Sequence, residues 1–124
     1  MAYSGNTGFR RIILAAGYSW QGFKAGWVNE ESFRQEIVLA AILIPLAFVL
    51  DTSLVQTILM IASIILVLIV EILNSAIEAV VDMVTKEKHE LAGRAKDMGS
   101  TAVALAMVNV GVVWGIILYS QYIK

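Results

Sequence analysis

The amino-acid sequence predicts an all-α membrane protein, with three transmembrane helices after an N-terminal amphipathic surface helix. Of its 124 residues, 59% are apolar and only 15% are charged, whereas soluble domains carry about 25% charged residues. Three long apolar runs follow a segment with a helical apolar period. The chain is predicted to be one domain, residues 1–124. It has no cysteine, which excludes disulfides and thiolate metal sites, and its net charge of -1 gives no indication of nucleic-acid binding.

The first predicted element is an amphipathic surface helix over about residues 6–27. Its apolar residues recur at spacings of three and four, and at about 100° per residue they share one side of a helix. These residues are Phe9, Ile12, Ile13, Ala16, Trp20, Phe23 and Trp27. An aromatic face of this kind is typical of a helix that lies in the headgroup layer of a membrane. The alternative interpretation is a core helix of an ordinary soluble domain.

Three predicted spans follow, over about residues 31–51, 54–84 and 92–121. A helix needs about 20 apolar residues to cross ~30 Å of hydrocarbon, and the second and third spans provide them readily. The first has a shorter apolar run that contains Pro45, so it must recruit flanking residues, thin the bilayer or tilt. A short turn of sequence DTS, residues 51–53, separates the first span from the second.

The basic residues are distributed unevenly about these spans, and this distribution predicts the orientation of the chain. They are Arg10, Arg11, Lys24 and Arg34 before the first span, Lys86, Lys88, Arg94 and Lys96 between the second and third, and Lys124 beyond the third. Because Lys and Arg collect on the cytoplasmic side of a membrane, we expect the N-terminus and residues 84–98 to be cytoplasmic. The first thirty residues lack the pattern of a cleaved signal peptide, so none is expected.

A stripe of polar residues interrupts the end of the second span, in the sequence EILNSAIEAVVD, residues 71–82. Glu71, Asn74, Glu78 and Asp82 are separated by three, four and four residues, which places them on one face of a helix. Glu71 lies about 25 Å along the helix from its start, just inside the cytoplasmic boundary. A carboxylate in hydrocarbon is costly and usually functional. The alternative is that Glu71 extends to the interface and the stripe only marks the helix end.

The two ends of this stripe suit different chemistry. Glu71 lies at headgroup depth in the drier part of the helix, where it suits a general base that takes a proton from a hydroxyl group. Asn74, three residues further on, is expected to hydrogen-bond either Glu71 or the incoming hydroxyl.

Glu78 lies in the wet layer and suits a divalent cation. Glu71 is about 10 Å away along the helix, too far for both carboxylates to hold one ion. Mg²⁺ is usually held by one or two protein carboxylates together with phosphate oxygens and water, so a second acid is expected from elsewhere. Glu30, at the junction of the surface helix and the first span, is the first candidate, and Glu31 and Glu36 are its rivals.

The segment TKEKHELAGRAKDMGS places four cations beside the stripe, which favours a triphosphate ligand. Topology alone also predicts a basic cluster here, and His89 is expected to be a solvated loop residue rather than a metal ligand. No phosphate loop is found: residues 17–25 have GxxxxG spacing, but Phe23 separates the second glycine from Lys24 and no strand precedes it. GVVWG, residues 111–115, has the spacing of close helix contacts. Because three spans seldom enclose a site, we expect the chain to assemble.

Four blocks of the sequence together resemble one known family. They are GFRRIILAAGYSWQG at 8–22, AGWVNEESFRQE at 25–36, EILNSAIEAVVD at 71–82 and HELAGRAKDMGS at 89–100. Over nearly its full length the chain resembles the small integral-membrane diacylglycerol kinases of bacteria. The resemblance implies a homotrimer of three-span subunits in the bacterial cytoplasmic (inner) membrane, with active sites shared between neighbours. It also implies transfer of the ATP γ-phosphate to diacylglycerol, which gives phosphatidic acid for phospholipid recycling and requires Mg²⁺.

The resemblance also implies roles for individual residues of this chain. Glu71 would be the general base, Asn74 would support it, and Glu30 and Glu78 would hold the metal. The nucleotide would be contacted by Arg11, Tyr18, Glu30, Glu78, Asp82, Glu87, His89, Lys96 and Asp97. The lipid acceptor would be contacted by Arg11, Ser19, Ser32, Arg34, Gln35, Glu71 and Ser100.

Three other functions are compatible with parts of this pattern. Some members of the family act on the polyprenol undecaprenol, although the blocks here are closer to those of the diacylglycerol branch. A small proton or cation carrier would also place carboxylates inside a membrane, but it would need further polar groups deep in the outer half of the spans. A purely structural membrane anchor would tolerate alanine throughout the stripe.

Overall fold

The computed structural model describes residues 7–123, and this part of the chain is helical except for short connections. The helices are α1 (Gly8–Asn29), α2 (Glu31–Val49), α3 (Leu54–Val84) and α4 (Glu90–Leu118), followed by a π-helical turn, Tyr119–Ile123. No strand occurs within residues 7–123. The predicted all-α fold class is therefore confirmed. Residue 6 of the predicted surface helix and Lys124 lie outside the described residues.

Three of these helices are long and apolar enough to cross a membrane, namely Glu31–Val49, Leu54–Val84 and the segment Glu90–Ile123. At ~1.5 Å per residue, α2 is about 28 Å long, close to the hydrocarbon thickness, even though Pro45 lies inside it. The 31 residues of α3 extend about 46 Å. The last turns of α3 therefore project beyond any hydrocarbon layer that its first turns enter.

The turn between α2 and α3 is specified by side chains that cap the new helix. The Gln56 backbone N–H donates to Ser53 Oγ at 3.1 Å, and the Ser53 N–H donates to Gln56 Oε1 at 2.9 Å. These two bonds form a capping box, which satisfies backbone donors at the start of α3. The Asp51 N–H donates to the Tyr122 hydroxyl at 2.9 Å, which ties the end of the chain to this turn. The predicted 51–53 turn lies where α2 ends and α3 begins.

The core lies at the end of the bundle that holds this turn, where α3 packs against both α2 and α4. Its buried residues are Ala40, Ala47, Met60, Ile64, Trp114 and Ile117. Trp114 Nε1 donates to the Met60 carbonyl at 3.2 Å, and Ser63 Oγ donates to the same oxygen at 2.7 Å. Because lipid tails are as apolar as these side chains, close packing and such hydrogen bonds hold membrane helices together.

The cytoplasmic segment predicted over residues 84–98 is mostly helical, so the loop is shorter than expected. Only residues 85–89 lie between α3 and α4. His89 is the N-cap of α4, and its Nδ1 accepts from the Leu91 N–H at 3.2 Å. This bond satisfies an orphan donor and starts the helix early. As a result Arg94 and Lys96 project from α4 rather than from a loop.

Helix α1 packs mainly against the start of α2 and leaves its aromatic face uncovered within the described chain. Trp20 is 60% exposed, and Phe9, Ile12 and Ile13 are exposed as well. Gly26 is the buried residue of α1: a Cβ there would lie 2.7 Å from Ile72 Cδ1. A core helix would bury its apolar face, so this arrangement does not support the soluble-domain alternative.

We expect Trp114→Phe to lower the free energy of unfolding by about 1–2 kcal/mol, because it removes a buried interhelical hydrogen bond and leaves a smaller ring. Tyr119→Phe is the matched control, since the Tyr119 hydroxyl makes no hydrogen bond within residues 7–123 and should change stability little. Reversible unfolding in mixed micelles measures both variants. Equal stabilities for the two variants would contradict the assignment of this hydrogen bond to the core.

Candidate active site

The candidate site is centred on Glu71, whose side chain is buried at the contact between α2 and α3. Glu71 is 5% exposed although it carries a carboxyl group. The Ser32 side chain, in the first turn of α2, faces it, and the carboxylates of Glu30 and Glu78 lie close enough to act on its charge. The structure thus brings together the predicted base and both predicted metal ligands.

A second buried acid, Glu36, lies beside Glu71. Glu36 is 8% exposed, its charge is within range of Glu71, and its Oε2 has no hydrogen-bond partner in residues 7–123. Ser32 and Glu36 are four residues apart, so α2 presents both of them on one face. From the sequence, Glu36 is expected only as a rival metal ligand. Its spacing of four residues from Ser32 is the feature of the sequence that indicates a position on the face of α2 that contacts Glu71.

Asn74 does not form the predicted hydrogen bond with Glu71. Its Oδ1 is buried without a partner among the described residues, and it lies against Gly99 of α4, where an added Cβ would overlap it. Close approach of α4 at Gly99 packs the Asn74 amide against α4, a constraint that a helical wheel does not contain. The alternative expectation, that Asn74 bonds an incoming hydroxyl, stays a prediction.

The outer end of the stripe is joined to α4 by an ion pair. Lys96 Nζ lies 2.7 Å from Asp82 Oδ1, and the two side chains are 42% and 56% exposed. An exposed pair of this kind adds little to stability, because solvent and salt screen its charges. Its main consequence is therefore positional: it holds a cation of α4 over the end of α3.

This ion pair borders an open cleft of about 500 Å³ formed by the end of α3, the 85–89 loop and the start of α4. Sites for small molecules usually have volumes of about 300–1,000 Å³. Four of the predicted nucleotide residues line this cleft, namely Asp82, Glu87, His89 and Lys96. Lys86, Lys88 and Lys96 give it three cations, which can attract phosphate groups, and Asp82, Glu87 and Glu90 give it three acids.

The remaining predicted nucleotide residues do not line this cleft. Glu30 lines a separate groove of about 310 Å³ between the end of α1 and α3. Arg11 and Tyr18 lie on the exposed part of α1, which does not extend along α3 or α4. Asp97 follows Lys96 in α4. The described subunit alone thus brings together only part of the predicted nucleotide site.

The predicted lipid-contacting residues divide between the α1–α2 corner and α4. Ser19 Oγ donates to the Ala15 carbonyl at 3.0 Å, and Gln35 Nε2 donates to Glu31 Oε1 at 3.5 Å. Arg34 contacts the last carbonyls of α1. Ser100 is exposed on α4, directly after Gly99.

The metal-binding potential of the site is limited to pairs of carboxylates. No group of three or more His, Asp or Glu side chains within residues 7–123 is arranged to hold a metal ion. Glu30 and Glu78 supply hard oxygen donors near Glu71. This donor set fits Mg²⁺, which takes one or two carboxylates and completes its shell with phosphate oxygens and water.

Comparisons with known proteins agree with this architecture. The family model described as "Prokaryotic diacylglycerol kinase" matches residues 17–118. The protein named "Diacylglycerol kinase" from Escherichia coli strain K12 is 54% identical over 116 residues, which cover 94% of this chain and 95% of that protein. The protein of the same name from Haemophilus influenzae is 51% identical over 113 residues, covering 91% and 96%. The one from Helicobacter pylori strain 26695 is 38% identical over 117 residues, covering 94% and 91%.

We expect Gly99→Ala to lower the free energy of unfolding by about 1–3 kcal/mol, because the new methyl group overlaps the Asn74 amide. Gly22→Ala is the control, since an added Cβ there meets no atom within 4 Å. The double variant Asn74→Ala/Gly99→Ala should be more stable than the sum of the two single effects predicts, because removal of the amide makes room for the methyl group. Additive losses in micelle unfolding would show that the two residues are not in contact.

Proposed function

Because this chain belongs to the prokaryotic diacylglycerol kinase family and is therefore a lipid kinase, we propose that it transfers the γ-phosphate of ATP to diacylglycerol and releases phosphatidic acid and ADP. The observation that carries the proposal is the burial of Glu71 beside Ser32, on the helix whose cytoplasmic end borders a cleft lined by Lys86, Lys88 and Lys96. This arrangement suits a lipid hydroxyl that arrives from the membrane and a nucleotide that arrives from the aqueous side.

Glu71 acts as the general base in this proposal. Its carboxylate takes the proton of the acceptor hydroxyl as the hydroxyl oxygen attacks the γ-phosphorus, and the bond from that phosphorus to the bridging oxygen of ADP breaks. A base must lie within hydrogen-bond reach of the proton that it removes. The burial of Glu71 among apolar helices keeps water from competing with the lipid alcohol as acceptor.

Glu30 and Glu78 are the proposed ligands for Mg²⁺. They approach the base from different elements, the α1–α2 corner and the outer part of α3, and both lie near Glu71. Mg²⁺, when bound, would neutralise charge on the phosphate oxygens. Mg²⁺ usually takes one or two carboxylates from protein when a triphosphate completes the shell, and this pair is within that range.

The cleft lined by Asp82, Glu87, His89 and Lys96 is the proposed nucleotide site. Asp82 orients Lys96, so the cation faces the phosphates from a defined position on α4. Positioned positive charge is the main catalytic resource in phosphoryl transfer.

A homotrimer would complete this site. Arg11 and Tyr18 lie far from the cleft residues along an exposed helix, and much of the apolar surface of α2, α3 and α4 is uncovered in one subunit. In a trimer the α1 helix of one subunit would bring Arg11 and Tyr18 to the cleft of its neighbour, where Asp97 follows Lys96 on α4. The α1–α2 corner with Ser19, Ser32 and Gln35, together with Ser100, would border the acceptor.

The proposed location is the bacterial inner membrane, with the N-terminus and the 85–89 loop on the cytoplasmic side, where ATP is available. The uncovered aromatic face of α1 would lie in the headgroup layer. In this orientation α3 leaves the hydrocarbon at the level of Glu71 and carries Glu78 and Asp82 into the aqueous layer.

The ion-carrier alternative lacks the polar groups that it needs. In the half of the spans far from Glu71, the Thr57 hydroxyl donates to the Ser53 carbonyl at 3.0 Å and the Ser63 hydroxyl to the Met60 carbonyl at 2.7 Å. Gln56 belongs to the capping box. These three groups are satisfied locally, Asn109 is a fourth polar side chain in this half of the spans, and none of the four is ionisable.

We expect Glu71→Gln to lower kcat by about 10²–10⁴-fold and to change the KM for ATP little, because it removes only the general base. Phosphatidic acid formed from labelled ATP and diacylglycerol in mixed micelles gives both constants. Asp51→Asn, at the opposite end of the bundle, is the matched control and should be nearly as active as the wild type. Near-normal turnover in Glu71→Gln would show that another group is the base. Undecaprenol tested in the same preparation should be the poorer acceptor.

Lys96→Met should raise the KM for ATP about tenfold or more, because it removes a cation placed at the phosphates. Asp82→Asn should have a smaller effect, since it leaves the cation but removes the group that orients it. The KM for diacylglycerol should stay within about twofold in both variants. An effect confined to the lipid constant would contradict the assignment of this cleft to the nucleotide.

A further inference from the structure

Glu30 occupies a corner whose geometry is set by two helix ends. It is the single residue between α1 and α2, and its backbone is extended, with φ -120° and ψ 107°. Its N–H donates to the Gly26 carbonyl at 2.9 Å. Because Glu30 is not inside either helix, the placement of its carboxylate depends on how the end of α1 is held against the start of α2.

The end of α1 has carbonyl groups that its own helix leaves without partners. The last four carbonyls of an α-helix lack intrahelical donors, and a cation near them also interacts favourably with the helix dipole. No basic residue lies in the last turn of α1. Arg34 of α2 supplies both hydrogen-bond donors and a positive charge at this helix end. Its Nη1 donates to the Trp27 carbonyl at 2.7 Å and to the Val28 carbonyl at 3.2 Å.

The α1–α2 corner also packs against the turn of α3 that carries Glu71, the proposed base. A Cβ on Gly26 would lie 2.7 Å from Ile72 Cδ1 and 3.0 Å from Phe33, so α1 contacts α3 and α2 directly at Gly26. Phe23 and Phe33 pack edge to face with ring centroids 5.5 Å apart. Ile72 follows Glu71 directly, so a shift of the α1–α2 corner against α3 changes the distance between the Glu30 and Glu71 carboxyl groups.

We propose that Arg34 is a positioning residue, which clamps the end of α1 onto α2 and so holds the Glu30 carboxylate at the metal site. This inference rests on the proposed function, in which Glu30 binds Mg²⁺. It differs from the lipid contact that the family resemblance implies for Arg34. A guanidinium group suits this clamp because its planar donors reach neighbouring carbonyls from one fixed side chain, which a lysine ammonium does less well.

Hydrogen exchange measures the clamp without reference to catalysis. In Arg34→Gln the amides of residues 26–34 should exchange about tenfold faster than in the wild type, since two charge-assisted hydrogen bonds are lost. Amides in the first turns of α4 should not change. Arg34→Lys should fall between the two, and Arg10→Gln, which removes the same charge from an exposed position of α1, should match the wild type. Unchanged exchange at the corner of Arg34→Gln would overturn the proposal.

The kinetic counterpart is the Mg²⁺ concentration that gives half-maximal activity. It should rise about tenfold in Arg34→Gln, with partial recovery in Arg34→Lys, while the KM for diacylglycerol stays within about twofold. A raised lipid KM with an unchanged Mg²⁺ requirement would overturn the proposal and make Arg34 a lipid contact.

Glu30→Gln separates the failure of this inference from failure of the function. If it raises the Mg²⁺ requirement and Arg34→Gln does not, the clamp alone is wrong. If Glu30→Gln leaves the requirement unchanged, Glu30 is not a metal ligand and the positioning role falls with it.

Discussion

The burial of the Glu71 carboxyl group between apolar helices is the constraint on which the rest of this molecule depends. A polar group taken out of water costs several kcal/mol unless neighbours compensate it. Here part of the compensation comes from Ser32, whose side chain faces the carboxyl group from α2, whereas the carboxylates of Glu30 and Glu78 repel its charge. The buried Glu71 and the more exposed Glu78 and Asp82 thus follow from one helix that is longer than the hydrocarbon layer is thick.

The helices approach each other closely at two glycines, which have no side chain to keep them apart. Gly26 admits Ile72 and Phe33 at the α1–α2 corner, and Gly99 admits the Asn74 amide between α3 and α4. Both contacts involve the turn of α3 that follows Glu71, at Ile72 and Asn74. By contrast, an added Cβ at Gly111 or Gly115 would meet nothing within 4 Å of the described subunit. The glycines that fit closely within one subunit therefore surround the site, and those of the GVVWG segment face outward.

One subunit leaves much of its apolar surface uncovered, and this surface has two different characters. The aromatic face of α1 combines large rings with Lys24, whose Nζ lies 5.9 Å from the Trp20 ring centroid. Such a face suits the boundary between headgroups and acyl chains. The outward faces of α3 and α4 are aliphatic, which suits either acyl chains or the spans of neighbouring subunits. The predicted nucleotide residues are divided between the cleft and a distant part of α1. This division is what we expect if neighbouring subunits complete each other's sites.

The sequence by itself determined the all-α class, the three spans, the helical stripe from Glu71 to Asp82 and the capped turn before α3, because each depends on periods or contacts within a few residues. It also predicted Glu30 as a partner of Glu78 from depth alone. Only the tertiary structure decided that Glu36 is buried beside Glu71, that Asn74 turns toward Gly99, and that Arg34 reaches back to the carbonyls of α1. These contacts join residues on different helices, or across a corner, and their distances follow from how closely backbones pack. A helical wheel shows on which face of its helix each residue lies, but not which residues of other helices it contacts.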